Sequence, residues 1–380
     1  MDKLVLTEEE QMVRESAADF LAEQAGPDAL RAIRDSENPL GYSAETWQQM
    51  LELGWPAILV PEKQGGLGFS HVAMGQIMEL SGSSLACSPL FATAVVGAAV
   101  LSLGGTDAQK SKLLPMVAAG ELTLALAIDE TARHAPASVA MTAAANGGGH
   151  TLNGNKCFVA DGNTADQLIV AARTSGVPGD TDGLSLFLVP CVAEGIAVTR
   201  VPMVDSRNAA NIRFSDVNVG SDQLIGVLDQ GMATLQTVLN IANVHLAAEL
   251  LGIADECFQR TLQYLKERKQ FGVVIGTFQA LQHRAAILWT EIELCKSIVL
   301  KALRALDDSP EDAALLASMA KVKACRAAEL ATNEGIQMHG GIGMTDEFDI
   351  GFYLKRARVV QMLFGDRRYH LNRCAELSGY

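Results

Sequence analysis

The spacing of apolar residues along the chain changes twice, and each change predicts a boundary between regions of different secondary structure. In the first and last thirds, apolar residues recur every three or four positions, as on one face of a helix. In the middle third they occur in short alternating runs separated by Gly, Asn, Asp and Pro, which is typical of strands. We therefore expect an α+β protein with an N-terminal helical domain (residues 1–121), a middle antiparallel β-domain (residues 122–225) and a C-terminal four-helix bundle (residues 226–380).

Individual segments carry the signals that begin or end these elements. Thr7 precedes three consecutive glutamates and therefore has the features of an N-cap with an acidic first turn. Asn153-Gly154 predicts a turn between two short strands. The longest helical patterns, which suit an antiparallel bundle, run over residues 231–269, 279–306, 311–333 and 350–375.

Charge and cysteine content exclude several classes of protein. The 380-residue chain has a formal net charge of −14 and no block of consecutive basic residues, which argues against nucleic acid as its main partner. Its seven cysteines are scattered without a CxxC pair, so we expect neither a disulfide framework nor a metal site. Unpaired cysteines and an acidic N-terminal segment favour a reduced, cytoplasmic location without export.

One uncharged stretch, residues 81–106, is long enough to be considered as a membrane span. It is rich in Ala, Gly and Ser, is interrupted by Pro89 and ends at Gly104-Gly105. These features favour a buried helix of the N-terminal domain, and we expect no membrane span.

A motif at the end of one long helical pattern contains groups suited to a diphosphate. It reads Tyr-Leu-Lys-Glu-Arg-Lys-Gln-Phe-Gly from Tyr264 to Gly272, and Phe278-Gln279 follow. The planar guanidinium of Arg268 can donate paired hydrogen bonds to phosphate oxygens and stays charged at any relevant pH. On composition alone, a helix C-terminus with ordinary basic residues is the simpler interpretation.

A second motif, Gln-Met-His-Gly-Gly-Ile-Gly, runs from Gln337 to Gly343. In this order and at this separation, the two motifs resemble the flavin-binding signatures of the acyl-CoA dehydrogenase family. The turn from Pro61 to Gly68 and the order of helical, β and helical regions are also similar to that family, so the resemblance covers essentially the whole chain. It implies bound FAD, an acyl-CoA substrate oxidised to a trans-2-enoyl-CoA, and electron-transferring flavoprotein as acceptor.

The resemblance also implies which residues bind FAD. The contacts to the diphosphate and adenosine end would come from Arg268, Gln270 and Phe271, with Phe278 and Gln279 beside them. The set contributed by the neighbouring subunit of an oligomer would be Gln337, Gly340 and Gly341. In the β-domain, Phe158 would stack on the flavin ring, while Ala160 stands where the family has a threonine hydroxyl.

The positions that carry the catalytic base in this family are vacant here. A carboxylate is needed to remove the C2 proton of the thioester, but the two positions hold Phe364 and Ala242, and Asn243 replaces a common arginine. Asp366, two residues beyond Phe364, is the candidate base that we name, with Glu249 as a second candidate. The alternatives are a base on a partner subunit, or no dehydrogenase activity in this chain.

A third departure affects the segment that carries flavin and thioester contacts in the family. Glu130 matches the family's motif, but Asp129 replaces a threonine and Ala135-Pro136 replace Ser-Asp. His134 lies within this segment, and for both His134 and His339 we favour a structural role over a catalytic one.

These departures point to a subgroup of the family. The segment from His339 to Asp349, with Tyr353-Leu354-Lys355-Arg356-Ala357 after it, resembles bacterial members that act on bulky acyl-CoAs. The chain resembles the smaller subunit of heteromeric bacterial acyl-CoA dehydrogenases for steroid side-chain or dicarboxylyl-CoA substrates. We therefore expect a homo- or hetero-oligomer, a dimer or tetramer and possibly an α2β2 assembly. Two alternatives remain open from the sequence. One is a non-catalytic FAD-binding partner subunit, and the other is an oxidase or nitroalkane-oxidising member of the same fold.

Overall fold

The computed structural model describes residues 4–380, which form two compact units built from discontinuous segments of the chain. Residues 4–36, 71–87 and 243–380 make up the first unit, and residues 37–70 and 88–242 make up the second. The N-terminal helical region therefore divides its helices between the two units.

Two of the four long helical patterns are confirmed to within two residues at each end, and the third continues six residues further, to His339. The chain forms eleven α-helices among residues 4–380. In chain order they are α1 (Glu8–Gln24), α2 (Pro27–Asp35), α3 (Ala44–Glu52), α4 (His71–Ser83), α5 (Ala98–Gly104), α6 (Asp107–Ala118), α7 (Gly231–Glu267), α8 (Gln279–Asp308), α9 (Ala313–His339), α10 (Ile350–Met362) and α11 (Arg367–Leu377). A π-helical turn, Phe91–Gly97, precedes α5. The N-cap predicted at Thr7 is confirmed, because its hydroxyl accepts the Glu10 N–H while Glu10 reaches back to the Thr7 N–H.

Helix α2 was not predicted, although Leu30 and Ile33 lie at helical spacing and Leu30 is buried. It begins at Pro27, a residue type that suits the first helical position. Contacts from other parts of the first unit hold it: Arg31 pairs with Asp349 at 2.8 Å, and Arg34 pairs with Asp346 at 2.7 Å.

The second unit contains a sheet of eight strands among the described residues. The strands of this unit are β1 (Leu124–Ala127), β2 (Thr142–Ala145), β3 (Gly149–Ala160), β4 (Gln167–Arg173), β5 (Leu184–Pro190), β6 (Ile196–Arg200), β7 (Ala209–Gly220) and β8 (Leu224–Ile225). The order across the sheet is β6-β7-β3-β2-β4-β5-β8. Most pairs are antiparallel as expected, but β1 runs parallel to β4, so the sheet is mixed.

The turn predicted at Asn153-Gly154 is wrong, because β3 continues through it as one strand. The register of β3 against β7 shifts between Leu152 and Gly154, which marks a β-bulge. Gly154 has φ +151°, and a side chain there would come within 2.7 Å of Met141. The glycine therefore serves close packing within a strand rather than a hairpin turn.

The single helix predicted over residues 350–375 is also wrong, because it is interrupted between α10 and α11. The backbone turns at Phe364, with φ +51°, and at Gly365, with φ +107°. A side chain at Gly365 would lie 2.4 Å from the Tyr369 ring, so only glycine fits. We call residues 363–366 the elbow.

Helix α7 is long and apolar enough to cross a membrane by length and composition, but 94% of its apolar window is buried inside the structure. This is the behaviour of the central helix of a protein core. The stretch considered from the sequence, residues 81–106, contributes the shorter apolar helical segment Phe91–Gly104.

In the first unit, half-buried His71 faces fully buried His245. The His71 Nδ1 atom lies 3.0 Å from His245 Nε2, so one ring donates a hydrogen bond to the other. Burial lowers the pKa of His71 to about 4 and the pKa of His245 well below its usual value. Both rings are therefore neutral at pH 7, and the folded state resists their protonation.

We predict that the melting temperature falls as the pH is lowered from about 6.5 towards 4. Over this window the unfolded chain binds protons at both histidines and the folded chain does not, so acid favours unfolding. Calorimetric melting between pH 7 and pH 5 measures the effect before most carboxylates titrate. The His71→Gln/His245→Gln double variant should have a shallower slope; an unchanged slope would contradict the assignment.

Candidate active site

The motif at the end of α7 forms a tight hairpin in the first unit. Strand β9 (Lys269–Gln270) pairs with β10 (Val273–Val274), and Phe271-Gly272 make the two-residue turn. Both turn residues have positive φ, +54° for Phe271 and +78° for Gly272, as a type I′ hairpin requires. Phe271 is not a residue that favours this conformation, yet it is also 90% exposed, so strain and an exposed ring coincide at one position.

The hairpin presents a cation and aromatic rings to the outside of the unit. Arg268 is exposed, and within residues 4–380 its guanidinium forms no ion pair. Phe278 precedes α8, is 38% exposed and meets Phe271 edge to face at 6.3 Å. Gln270 and Gln279, the first residue of α8, are also exposed.

The second motif forms the turn that ends α9. Gly340 has φ +65°, and a side chain added at Gly340 or Gly341 would meet no atom within 4 Å. Both glycines and Gln337 are exposed, so the backbone N–H and C=O groups of this turn are open to a ligand.

The structure brings the two motifs together within the first unit. The Tyr264 hydroxyl donates to the His339 carbonyl at 3.3 Å, and the two rings lie 4.4 Å apart. Tyr264 is four residues before Arg268, and His339 directly precedes Gly340. An unpaired guanidinium, exposed aromatic rings and an open glycine turn are the groups that a flavin dinucleotide needs for its diphosphate and adenosine. The residues present therefore fit FAD.

In the second unit, Phe158 is the candidate for contact with a flavin ring. It has φ +51°, lies where the register of β3 against β7 shifts a second time, and is 47% exposed. Its backbone N–H donates to the Asn211 side chain at 3.2 Å, which holds the bulge. Ala160, two residues on, offers no polar side-chain atom.

The segment that follows β1 is stabilised by hydrogen bonds of Glu130, one of them to Lys156 of β3. The Glu130 carboxylate accepts the N–H groups of Ala140 and Met141 at 2.9 Å each and the Lys156 ammonium at 2.8 Å. Burial lowers the pKa of Lys156, whose ammonium also donates to the Ile128 carbonyl at 2.8 Å. Sequence reasoning missed Lys156, although a lysine within an otherwise half-buried strand was a signal.

Asp129 and His134 form a second pair in this segment. The His134 Nδ1 atom lies 3.0 Å from both carboxylate oxygens of Asp129. The Asp129 carbonyl also accepts the Cys157 N–H at 2.8 Å, which joins this segment to the strand that carries Phe158. The carboxylate that replaces the family's threonine hydroxyl is therefore engaged with a neighbouring imidazole.

The elbow of the first unit is held by buried polar side chains. The Lys321 ammonium donates to the carbonyls of Val360, at 3.1 Å, and Leu363, at 2.8 Å. The Phe364 carbonyl accepts from Asn243 and from His370, each at 3.2 Å. Burial lowers the pKa of Lys321 to about 8. Neither Lys321 nor His370 was singled out from the sequence, because their partners are backbone atoms with no motif.

The residue at the tip of this elbow cannot accept a proton. Phe364 is 8% exposed, and Ala242, at the family's other base position, is fully buried in the second unit. The structure thus keeps a rigidly supported turn but places an apolar ring on it.

Both candidate carboxylates take part in structural contacts. Asp366 is the N-cap of α11, and its carboxylate accepts the Tyr369 N–H at 2.8 Å. Glu249 is 1% exposed and forms two hydrogen bonds to Arg356, at 2.7 Å and 3.0 Å. Their roles as bases remain predictions from the sequence, and each now has a structural function beside it.

Comparisons with known proteins identify the fold and the class. Three protein-family models match successive parts of the chain. They are the acyl-CoA dehydrogenase N-terminal domain over residues 7–121, the middle domain over 125–217 and the C-terminal domain over 229–378. The probable acyl-CoA dehydrogenase YngJ of Bacillus subtilis is 32% identical over 364 residues, which cover 94% of each chain.

Solved structures of similar proteins support the same fold. The FAD complex of PigA has a TM-score of 0.91 at 25% identity and covers 100% of this chain and 99% of its own. A steroid ACAD, Tcur3481-Tcur3483, has a TM-score of 0.87 at 30% identity and covers 98% of both chains. These findings define a flavin-dependent oxidoreductase that acts on acyl-CoA. The chain belongs to the acyl-CoA dehydrogenase family, and its cofactor is FAD.

For Asp366 we predict that two substitutions separate capping from catalysis. Asp366→Asn keeps a good N-cap, whereas Asp366→Ala should lower the free energy of unfolding by about 1 kcal/mol. If the carboxylate acts as base, the Asn variant should lose turnover while keeping its melting temperature. Full activity of Asp366→Asn on a substrate of the enzyme would remove Asp366 as the base.

For Glu249 we predict a large loss of stability on substitution by Gln. The change leaves Arg356 charged and without its carboxylate in the core, and breaking a buried pair in this way costs about 3–5 kcal/mol. Denaturant unfolding measures the loss. Glu293→Gln, which removes the 3.0 Å pair with Lys296 on the surface, is the matched control and should cost under about 1 kcal/mol. Equal effects would contradict the structural role of Glu249.

Proposed function

We propose that this protein takes part in the FAD-dependent α,β-dehydrogenation of an acyl-CoA thioester to a trans-2-enoyl-CoA as one of two different subunits. The observation that carries the proposal is the elbow, which keeps its buried supports but ends in Phe364 in place of a proton acceptor. The groups suited to the diphosphate and adenosine of FAD are present in the same unit as the elbow. The chain thus has the binding parts of the enzyme without an evident base.

Each group has a defined task in this proposal. Arg268 would neutralise the diphosphate, the backbone of Gly340 and Gly341 would approach the dinucleotide, and Phe158 would stack on the flavin ring. FAD, when bound, supplies the oxidant that accepts a hydrogen with its electron pair from C3. Removal of the C2 proton then requires a carboxylate near the substrate, and we assign it to the partner subunit.

Other observations support a heteromeric assembly. The similar steroid ACAD carries a paired designation, Tcur3481-Tcur3483. Exposed apolar side chains on α8, namely Ile287 at 58%, Trp289 at 56% and Leu294 at 53%, leave a face of the first unit for another chain. The proposal further includes a bulky substrate, either a steroid side-chain CoA thioester or a dicarboxylyl-CoA. It names electron-transferring flavoprotein as the electron acceptor and the cytoplasm as the location. All seven cysteines are free, which suits that location.

A second candidate function is a non-catalytic subunit that binds FAD and stabilises an active partner, and the vacant base positions favour it equally. The oxidase or nitroalkane-oxidising alternative depends on Asp366, which caps α11. It is therefore the weakest of the three.

The test is an anaerobic titration of the purified chain, alone and after co-purification with its native partner. We expect the chain alone to show the absorbance spectrum of bound flavin without bleaching by short, branched, dicarboxylic or steroid side-chain CoA thioesters. The co-purified assembly should bleach with one of these classes. Full activity from a single polypeptide would overturn the heteromeric proposal, and an assembly that no thioester bleaches would favour the non-catalytic subunit.

For Phe364 we predict a gain of function on substitution by Glu. The elbow is already supported, so a carboxylate at its tip would restore a base where the family carries one. The thioester identified above should bleach the flavin of the purified Phe364→Glu chain, unlike that of the unsubstituted chain, at a rate at least about 10-fold above that of Phe364→Gln. Phe364→Gln has nearly the same shape without a basic oxygen and is the control. Equal rates in the two variants would show that the elbow does not face the substrate.

A further inference from the structure

Three aromatic side chains lie between the two candidate cofactor-binding turns of the first unit, and the reaction has no direct use for them. The His339 ring lies 4.4 Å from the ring of Tyr264 and 4.6 Å from that of Phe348, and Tyr264 and Phe348 are 6.1 Å apart. We call Tyr264, His339 and Phe348 the aromatic joint. Its members come from the end of α7, the end of α9 and the chain just before α10.

Hydrogen bonds fix the orientation of two of these rings. The His339 Nδ1 atom lies 2.7 Å from the Gly335 carbonyl, and because a carbonyl can only accept, Nδ1 carries the proton. Burial lowers the pKa of His339, so the ring is neutral at pH 7. The Tyr264 hydroxyl donates to the His339 carbonyl at 3.3 Å, one residue before the positive-φ Gly340.

The position of this second hydrogen bond is informative. The last carbonyls of a helix lack partners within the helix, and here a side chain from another helix satisfies one at the point where α9 ends. Four residues beyond Tyr264, Arg268 begins the hairpin and accepts the Ile275 N–H at 2.8 Å. The Tyr264 side chain therefore joins the end of α7, four residues before Arg268, to the point where the glycine turn leaves α9.

We propose that the aromatic joint positions the Arg268 hairpin and the Gly340-Gly341 turn of the same chain relative to each other so that a single dinucleotide engages both, in place of one turn from each of two subunits. Tyr264, His339 and Phe348 are positioning residues in this assignment, since they act through the two turns. The inference rests on the proposed function, because it takes both turns as contacts of FAD. It adds a determinant of cofactor affinity that lies outside both sets of binding residues.

The experiment measures FAD affinity by fluorescence titration of the protein with and without the Tyr264 hydroxyl. Tyr264→Phe keeps the ring and loses only the hydrogen bond to the His339 carbonyl, and we expect FAD to bind about 5- to 20-fold more weakly, as the loss of one aligned contact predicts. Phe348→Leu removes the aromatic ring that contacts His339 and should weaken FAD binding in the same range. Circular dichroism melting confirms that each variant is folded.

Tyr353→Phe is the matched control. The Tyr353 hydroxyl donates to the Ser83 carbonyl at 3.0 Å, also at the end of a helix in the first unit, but it contacts neither turn. This variant should lower the melting temperature as much as Tyr264→Phe does and leave the dissociation constant of FAD unchanged. If both variants weaken FAD binding equally, general stability explains the effect and the inference is overturned.

A double-mutant cycle with Arg268→Gln separates positioning from simple structural support. If the joint aligns the two turns on one cofactor, removal of the guanidinium should abolish most of the effect of Tyr264→Phe. Independent, additive effects would contradict the assignment. FAD binding that Tyr264→Phe leaves unchanged would overturn the inference alone, whereas no FAD binding by the unsubstituted chain would overturn the proposed function as well.

Discussion

The ends of helices impose the main constraint on this molecule, because the last carbonyls of every helix lack partners within it. The turns of functional interest in the first unit follow the ends of α7, α9 and α10. At two of these ends, polar side chains from elsewhere in the unit supply the missing donors. Tyr264 reaches the end of α9, while Lys321, Asn243 and His370 reach the carbonyls of the elbow. Where this support is present, the chain can turn sharply and still hold one conformation.

Buried charge in this protein serves structure more visibly than chemistry. Lys156 and Glu130 hold the segment after β1, and Glu249 and Arg356 pair within the core of the first unit. Such groups resemble catalytic residues when only burial and residue type are considered. Their hydrogen bonds show the difference, because every carboxylate named as a possible base already has a defined partner. The elbow is the reverse case, since it has the support of a catalytic turn and an inert ring at its tip.

Local sequence signals predicted most elements because their causes are local. The N-cap at Thr7, the long apolar face of α7 and the switch to short strands after residue 121 depend on neighbours a few positions apart. The errors have a common cause as well. Asn153-Gly154 has the composition of a turn but packs against Met141 as a bulge. Residues 350–375 have one helical period, but the chain turns at the elbow, whose carbonyls accept from Lys321 and Asn243. Contacts distant in sequence decided both.

The amino-acid sequence by itself determined the family, the cofactor and the absence of a carboxylate at the two usual base positions, because these depend on residue identity at spaced motifs. Only the tertiary structure decided that Asp366 caps a helix, that Glu249 pairs with Arg356, and that Tyr264 joins the two motifs for which we propose dinucleotide binding. The physical reason is distance along the chain. Tyr264 and His339 are 75 residues apart, and no local pattern can reveal a hydrogen bond formed only when the helices that carry them pack together.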